Sequence, residues 1–90
     1  MLSVEYTIKF KKDLKLAKKR NKDLEALRKI MKKIENEEEL EGRLKDHPLI
    51  GNWHNHRELH IEPDWLLIYK LIQMEKVVVF VRTGSHADLF

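Results

Sequence analysis

The spacing of apolar residues changes several times along the chain, and each change marks an element. Leu2, Val4 and Tyr6 alternate with Ser3 and Glu5, which is the period of a strand. Thr7 follows as a residue able to cap a helix. Phe10, Leu14 and Ala17 then fall at i, i+4 and i+7 with lysines between them. The sequence KRNKD interrupts that stripe. Asn21 is expected to cap a second helix, with Asp23 and Glu25 in its first turn. Leu24, Leu27, Ile30, Met31 and Ile34 trace one clear helical face. That helix is expected to fray within ENEEELE and to end near Gly42. Residues 43 to 55 hold Pro48, Gly51 and polar side chains, the composition of an ordered loop. HRELHI alternates again, with Arg57, Leu59 and Ile61 opposite His56, Glu58 and His60. Pro63 places a turn in EPD. WLLIYKLI and KVVVFVR are apolar, β-rich runs joined by QMEK.

The resulting order is β-α-α-β-β-β. Strands segregated from helices in this way indicate an α+β fold, with a mostly antiparallel sheet packed against two N-terminal helices. The last two strands are expected to be central, with the first beside one of them. Ninety residues suit a single domain spanning 1–90.

Charge alters this picture more than composition does. Charged residues make up 37% of the chain and the net charge is +3. Twelve of the eighteen lysines and arginines lie in residues 9 to 33 beside only three acids, whereas residues 35 to 41 carry five acids and no base. So concentrated a basic segment points to a polyanionic partner, nucleic acid above all. The plainer alternative is a solvated helix face. No apolar run approaches the ~20 residues of a membrane span, and MLSVEYTIKF lacks the apolar stretch of a signal peptide. The absence of cysteine leaves no disulfide and no thiolate metal site. A cytoplasmic protein without a membrane partner is expected.

The titratable residues cluster. Four of the five histidines fall within KDHPLIGNWHNHRELHIEPDW, residues 45 to 65, and the fifth is His86 in RTGSHADLF. Cleavage of an RNA phosphodiester needs a base for the 2′-hydroxyl, an acid for the leaving 5′-oxygen and a cation for the phosphorane. Histidine suits the first two roles because it titrates near neutrality, and arginine suits the third. His47, His60, His86, Asp64 and Arg82 supply that set, provided strand ends gather them. Singly, each has a plainer role: Asp64 as a turn residue, His47 as a loop anchor, His54 and His56 as exposed loop residues, Trp53 and Trp65 as core. His56, Glu58 and His60 share one strand face and could ligate a metal. An i, i+2, i+4 set is a weak signal, however, and acid–base chemistry needs no ion, so neither metal nor cofactor is expected.

The segments KDHPLIGNW, RELHIEPDWLLIYK and RTGSHADLF, in this order, resemble the YafQ-type branch of the RelE/ParE superfamily, toxins of bacterial type II toxin–antitoxin modules. The resemblance covers nearly the whole chain and includes the RelE-like element order. It implies a ribosome-dependent endoribonuclease that cuts translated mRNA in the A site without metal and leaves a 2′,3′-cyclic phosphate. It implies catalytic roles for His47, His60, Asp64 and His86, with Arg82 as the stabilising cation. It assigns Trp65 and Phe90 to holding mRNA or shaping the site. The basic helices, through Lys11, Lys12, Lys15, Lys18, Lys19, Arg20, Lys29, Lys32 and Lys33, correspond to the surface that meets ribosomal RNA. The implied partners are a cognate antitoxin, the ribosome and mRNA, with operator DNA reached only through the antitoxin complex. His54 and His56 stand outside the family pattern, and the acidic run is long enough to shift the antitoxin contact. His86, in a Gly-Ser bend after Arg82, is the candidate general acid. The base remains open between His47 and His60 working with Asp64.

Two other functions compete. A non-catalytic or gyrase-directed ParE-like toxin would not require so many titratable groups. A generic RNA-binding module would interleave exposed aromatics with its bases, but the basic helices carry only Phe10, at a core position.

Overall fold

The computed structural model describes all residues from Met1 to Phe90. The chain runs β1 (Ser3–Tyr6), α1 (Ile8–Lys19), α2 (Leu24–Glu35), β2 (His47–Pro48), β3 (Arg57–Glu62), β4 (Trp65–Ile72), β5 (Val77–Gly84) and α3 (His86–Leu89). The strands form one sheet in the order β1-β5-β4-β3-β2. β1 is parallel to β5, and the other pairs are antiparallel. This is the α+β arrangement expected, enlarged by the two-residue β2 and the four-residue α3. No helix is long and apolar enough to cross a membrane.

One threonine joins the first two elements. Thr7 Oγ1 accepts from the Phe10 amide at 2.9 Å, capping α1, and donates to the Val81 carbonyl at 2.7 Å. Its own amide donates to the Phe80 carbonyl. The parallel β1–β5 ladder thus continues through a side chain, and the helix begins where the strand ends.

The second helix is capped by Asp23, not Asn21: the Asp23 carboxylate accepts from the Ala26 amide at 3.0 Å. Asn21 instead takes a left-handed conformation, φ 57°, which asparagine tolerates better than most residues. The helix also stops earlier than expected. It ends at Glu35, and Glu37 at φ 58° turns the chain away before most of the acidic run.

β4 is the centre of the molecule. Trp65, Leu66, Leu67, Ile68 and Tyr69 are all buried, so this strand is enclosed on both faces and reads as a continuous apolar run. On one side Trp65, Leu67 and Tyr69 join Leu59, Val78 and Phe80 against Phe10, Ala17, Leu27, Ile30 and Ile34 of the helices. On the other, Leu66 and Ile68 are covered by Leu89 of α3 with Leu49, Trp53 and Val81. The pairing is irregular at two places. His60 and Glu62 face Leu66 and Trp65, leaving Ile61 as an extra residue in β3. Phe80 and Arg82 face Tyr69 and Ile68, leaving Val81 extra in β5. Such bulges redirect the side chains beside them.

Phe10 is fully buried, with Tyr6 and Phe80 ring centroids 5.8 and 5.9 Å away. Phe10→Ala is expected to cost about 3–5 kcal/mol, seen in urea unfolding as a lowered midpoint with an unchanged slope.

Candidate active site

The sheet face turned away from α1 and α2 carries His47 of β2 with Glu58 and His60 of β3. Alternation along β3 places Glu58 and His60 there while Leu59 and Ile61 enter the main core. β2 sets His47 opposite Glu58. The β3–β4 turn presents Asp64, and α3 begins with His86 after β5. Three imidazoles therefore stand in a row: the His47 and His60 ring centroids are 6.3 Å apart, and those of His60 and His86 5.9 Å.

Each ring has different neighbours. His86 Nδ1 lies 2.6 Å from Asp64 Oδ1, and the His86 backbone amide donates to the same oxygen at 2.9 Å. With Nδ1 as donor, the far ring nitrogen is left for chemistry. Those bonds, the backbone one first, hold the Asp64 carboxyl below its usual range. His47 Nδ1 lies 2.7 Å from the Lys45 carbonyl, and its Nε2 lies 3.2 Å from Glu58 Oε2. A ring with an acceptor at each nitrogen satisfies both only when it carries both protons. His60 stands between them with a buried Nδ1 that has no partner.

The loop carrying His47 is tied down from the helix side. Asp46 accepts from Arg57 Nε and Nη2 at 3.2 and 3.1 Å and from the Tyr69 hydroxyl at 2.6 Å. Burial, reinforced by Asp46, pushes the Tyr69 phenol well above its ordinary value, so it remains a donor.

Other expected site residues are placed differently. Arg82 does not stand free: its Nε and Nη2 donate to Asp13 of α1 at 2.7 and 3.1 Å, and Asp13 also accepts from the Thr83 amide. Its guanidinium is engaged by an acid of α1, and no contact joins it to the imidazole row. Trp65 is 1% exposed and lies in the main core, with Lys22 Nζ 5.8 Å from its ring. A ring so placed cannot stack on a base, and its part is to support the strand that follows Asp64. Phe90 is 61% exposed and sits edge-on to Trp53. His86 lies not in a loose bend but on the first turn of a capped helix. Ser85 Oγ accepts from the Asp88 amide, and Asp88 accepts from the Ser85 amide.

His56 turns to Trp53 and to the His54 carbonyl, so it does not join Glu58 and His60 as a ligand set. No group of three or more histidines or carboxylates is arranged to hold a metal. Among the basic residues, Lys11, Lys12, Lys15, Lys18, Lys19 and Lys29 are exposed. Lys32 pairs with Glu35, Lys33 with Glu41, and Arg20 with Asp88.

The sequence pattern presents Glu58 only as a metal ligand with His56 and His60, not as a neighbour of His47 in the acid–base set. Asp13, Asp46 and Asp88 also went unrecognised. Only Asp88 left a local signal, the S-x-x-D spacing of a capping box.

The family model for YafQ, a bacterial toxin of type II toxin–antitoxin systems, matches residues 2–90. The chain is 49% identical over 88 residues to the mRNA interferase toxin YafQ of Escherichia coli strain K12, covering 97% of this chain and 94% of that protein. It is similar to the toxin in the crystal structure of the E. coli DinJ–YafQ toxin–antitoxin complex, with a TM-score of 0.89 and 47% identity across 99% of this chain and 97% of that one. It is also similar to a metal-bound toxin from Helicobacter pylori, with a TM-score of 0.94 and 42% identity across the full length of both chains.

Arg20, Ser85 and their hydrogen bonds lower the Asp88 carboxyl from its ordinary 3.8 to about 2. A depressed folded-state value means that ionised Asp88 stabilises the fold above the ordinary value, and that this contribution is lost as pH falls towards 2. Asp88→Asn should therefore lower Tm at pH 7. The gap from wild type should close between about pH 4 and pH 2, as followed by circular dichroism.

Proposed function

The chain belongs to the YafQ family of bacterial type II toxins, and on that footing we propose that it is a ribosome-dependent mRNA endonuclease acting by metal-independent acid–base catalysis. The observation that carries this reading is the row of three imidazoles, each with a different set of neighbours. The 2′-hydroxyl gives its proton to His60, the ring with no acceptor beside it, and attacks the adjacent phosphate. The phosphorane forms beside His47, whose ring nitrogens face the Lys45 carbonyl and Glu58, with Arg82 adding positive charge from the end of β5. His86 then donates a proton to the departing 5′-oxygen, and Asp64 supports the ring while it carries that proton. The products are a 2′,3′-cyclic phosphate and a 5′-hydroxyl, and the two proton transfers balance.

Ribosome dependence fits the openness of the site. His47, Asp64, His86 and Phe90 are exposed on the protein surface, and the half-buried His60 lines a cleft with Arg43, Lys45 and Pro63. A mobile strand is poorly placed for in-line attack, and much of the barrier is met by holding the reactants in line. An mRNA already held in the A site supplies that order. The free lysines of α1, with Lys29 of α2, would grip ribosomal phosphates, while Lys32, Lys33 and Arg20 contribute less because acids already engage them. Phe90 stacks on or borders the mRNA. A cognate antitoxin would block the toxin in the cytoplasm, and operator DNA would be met only through that complex.

Primer extension on a translated mRNA, with and without ribosomes, tests the proposal. Cuts are expected only with ribosomes and should survive chelation when magnesium for the ribosome is controlled separately. Cleavage of free mRNA at the same rate would remove ribosome dependence, and activity lost to chelation and restored by zinc would remove metal independence. In single-turnover cleavage His86→Ala should be slower by about 100- to 10,000-fold. A rate within threefold of wild type would exclude His86 from the chemistry.

Neutralising Lys11, Lys15 and Lys18 together should weaken ribosome binding and lower its log–log salt slope by about one for each lysine–phosphate pair removed. The rate at saturation should be little changed. Unaltered binding at low and moderate salt would leave these lysines a role in solubility alone.

A further inference from the structure

The helix α1 has two polar faces with different partners. Its lysines point outward without acidic partners, whereas Asp13, Ala17 and Arg20, at i, i+4 and i+7, line a cleft against Thr83, Gly84, Ser85 and Asp88. Arg20 Nη1 donates to Asp88 Oδ2 at 2.7 Å and Nη2 to Oδ1 at 3.4 Å. The same Oδ2 accepts from the Ser85 amide at 2.9 Å, completing the capping box of α3. The backbone runs close beside this carboxylate: a Cβ on Gly84 would lie 3.0 Å from both Asp88 Cβ and Oδ2.

His86 is the first residue of α3, so the direction of its ring follows from how that turn is seated. A four-residue helix has almost no stability of its own. Leu89 anchors one side of it in the apolar cluster. Arg20, 68 residues away in sequence, anchors the other through Asp88. Asp64 can receive both the ring and the amide of His86 only while the turn holds this orientation.

We propose that Arg20 is a positioning residue for His86: its guanidinium fixes the Asp88 carboxylate that caps α3, and the capped turn aims the imidazole at Asp64 and the scissile phosphate. The proposal rests on the nuclease role given to His86 above, and it takes Arg20 out of the ribosomal contact surface. Its fork is already occupied by one carboxylate, whereas the neighbouring lysines are free.

The test uses full-length Arg20→Gln, Arg20→Lys, Asp88→Asn and the double variant Arg20→Gln/Asp88→Asn, each checked for folding by circular dichroism. Three quantities are measured: kcat and KM on programmed ribosomes, the salt slope of ribosome binding, and the 15N–1H spectrum of the His86 ring without ribosomes. Arg20→Gln and Asp88→Asn should each lower kcat by roughly 10- to 100-fold, as expected for a misplaced catalytic group. KM and salt slope should stay within twofold. The double variant should be no slower than Asp88→Asn, because the two residues act in series, and Arg20→Lys should recover part of the rate. The His86 ring signals should move in both single variants. An unchanged kcat with a raised KM and a salt slope lower by about one would make Arg20 an RNA contact and overturn the proposal, as would unmoved ring signals. A wild-type protein that fails to cleave would overturn the nuclease reading instead, and the ring spectra would still decide whether Arg20 seats His86.

Discussion

A five-stranded sheet has two faces to cover, and this chain has long helices for only one of them. α1 and α2 cover most of the first face, including Leu59, Trp65, Leu67, Val78 and Phe80. On the second, Leu49, Trp53, Val81 and Leu89 shelter Leu66 and Ile68 but leave the polar margin of β3 open. His47, Glu58 and His60 stand where that apolar cover ends. Glu58 is itself buried there, with His47 Nε2 3.2 Å from its carboxylate, and His47 is exposed; a buried charge is costly unless paired. Further from the cover the three would lose the neighbours that distinguish one ring from the next. The incomplete second layer therefore sets the position of the imidazole row and leaves His47 and His86 exposed.

The site is held in place by long-range polar pairs more than by enclosure. Asp46 ties the His47 loop to Arg57 and Tyr69. Asp13 holds Arg82 and Thr83 against α1, Arg20 holds Asp88, and Asp64 holds His86. Partly exposed pairs of this kind contribute little net stability. Their value is geometric, because each fixes the loop or strand end that carries a titratable group. α1 is the common scaffold: its inner stripe meets the C-terminal tail while its outer lysines stay exposed without acidic partners.

This division of labour explains the charge pattern. Cations that organise the fold are neutralised by nearby carboxylates, whereas those left over gather on the outer surface of the first two helices. The result is a small protein whose imidazole row and free lysines lie on different elements.

Hydrophobic period was enough to define β1, both long helices and the three long strands, because burial repeats every two residues in a strand and about every 3.6 in a helix. It also placed Glu58 and His60 on one face, and the sequence segments around His47, Asp64 and His86 pointed to the YafQ family. The cap at Asp23, the two-residue β2 and the helical start at His86 were less legible, since such short elements are made by tertiary packing and have no period of their own. The partners were not legible at all. His86 meets Asp64 across 22 residues, Arg20 meets Asp88 across 68, and Arg82 meets Asp13 across 69. Sheet order, a parallel first strand and two single-residue bulges decide those meetings. Local spacing determines which side of an element a residue faces; only the assembled sheet determines which distant residue it faces there.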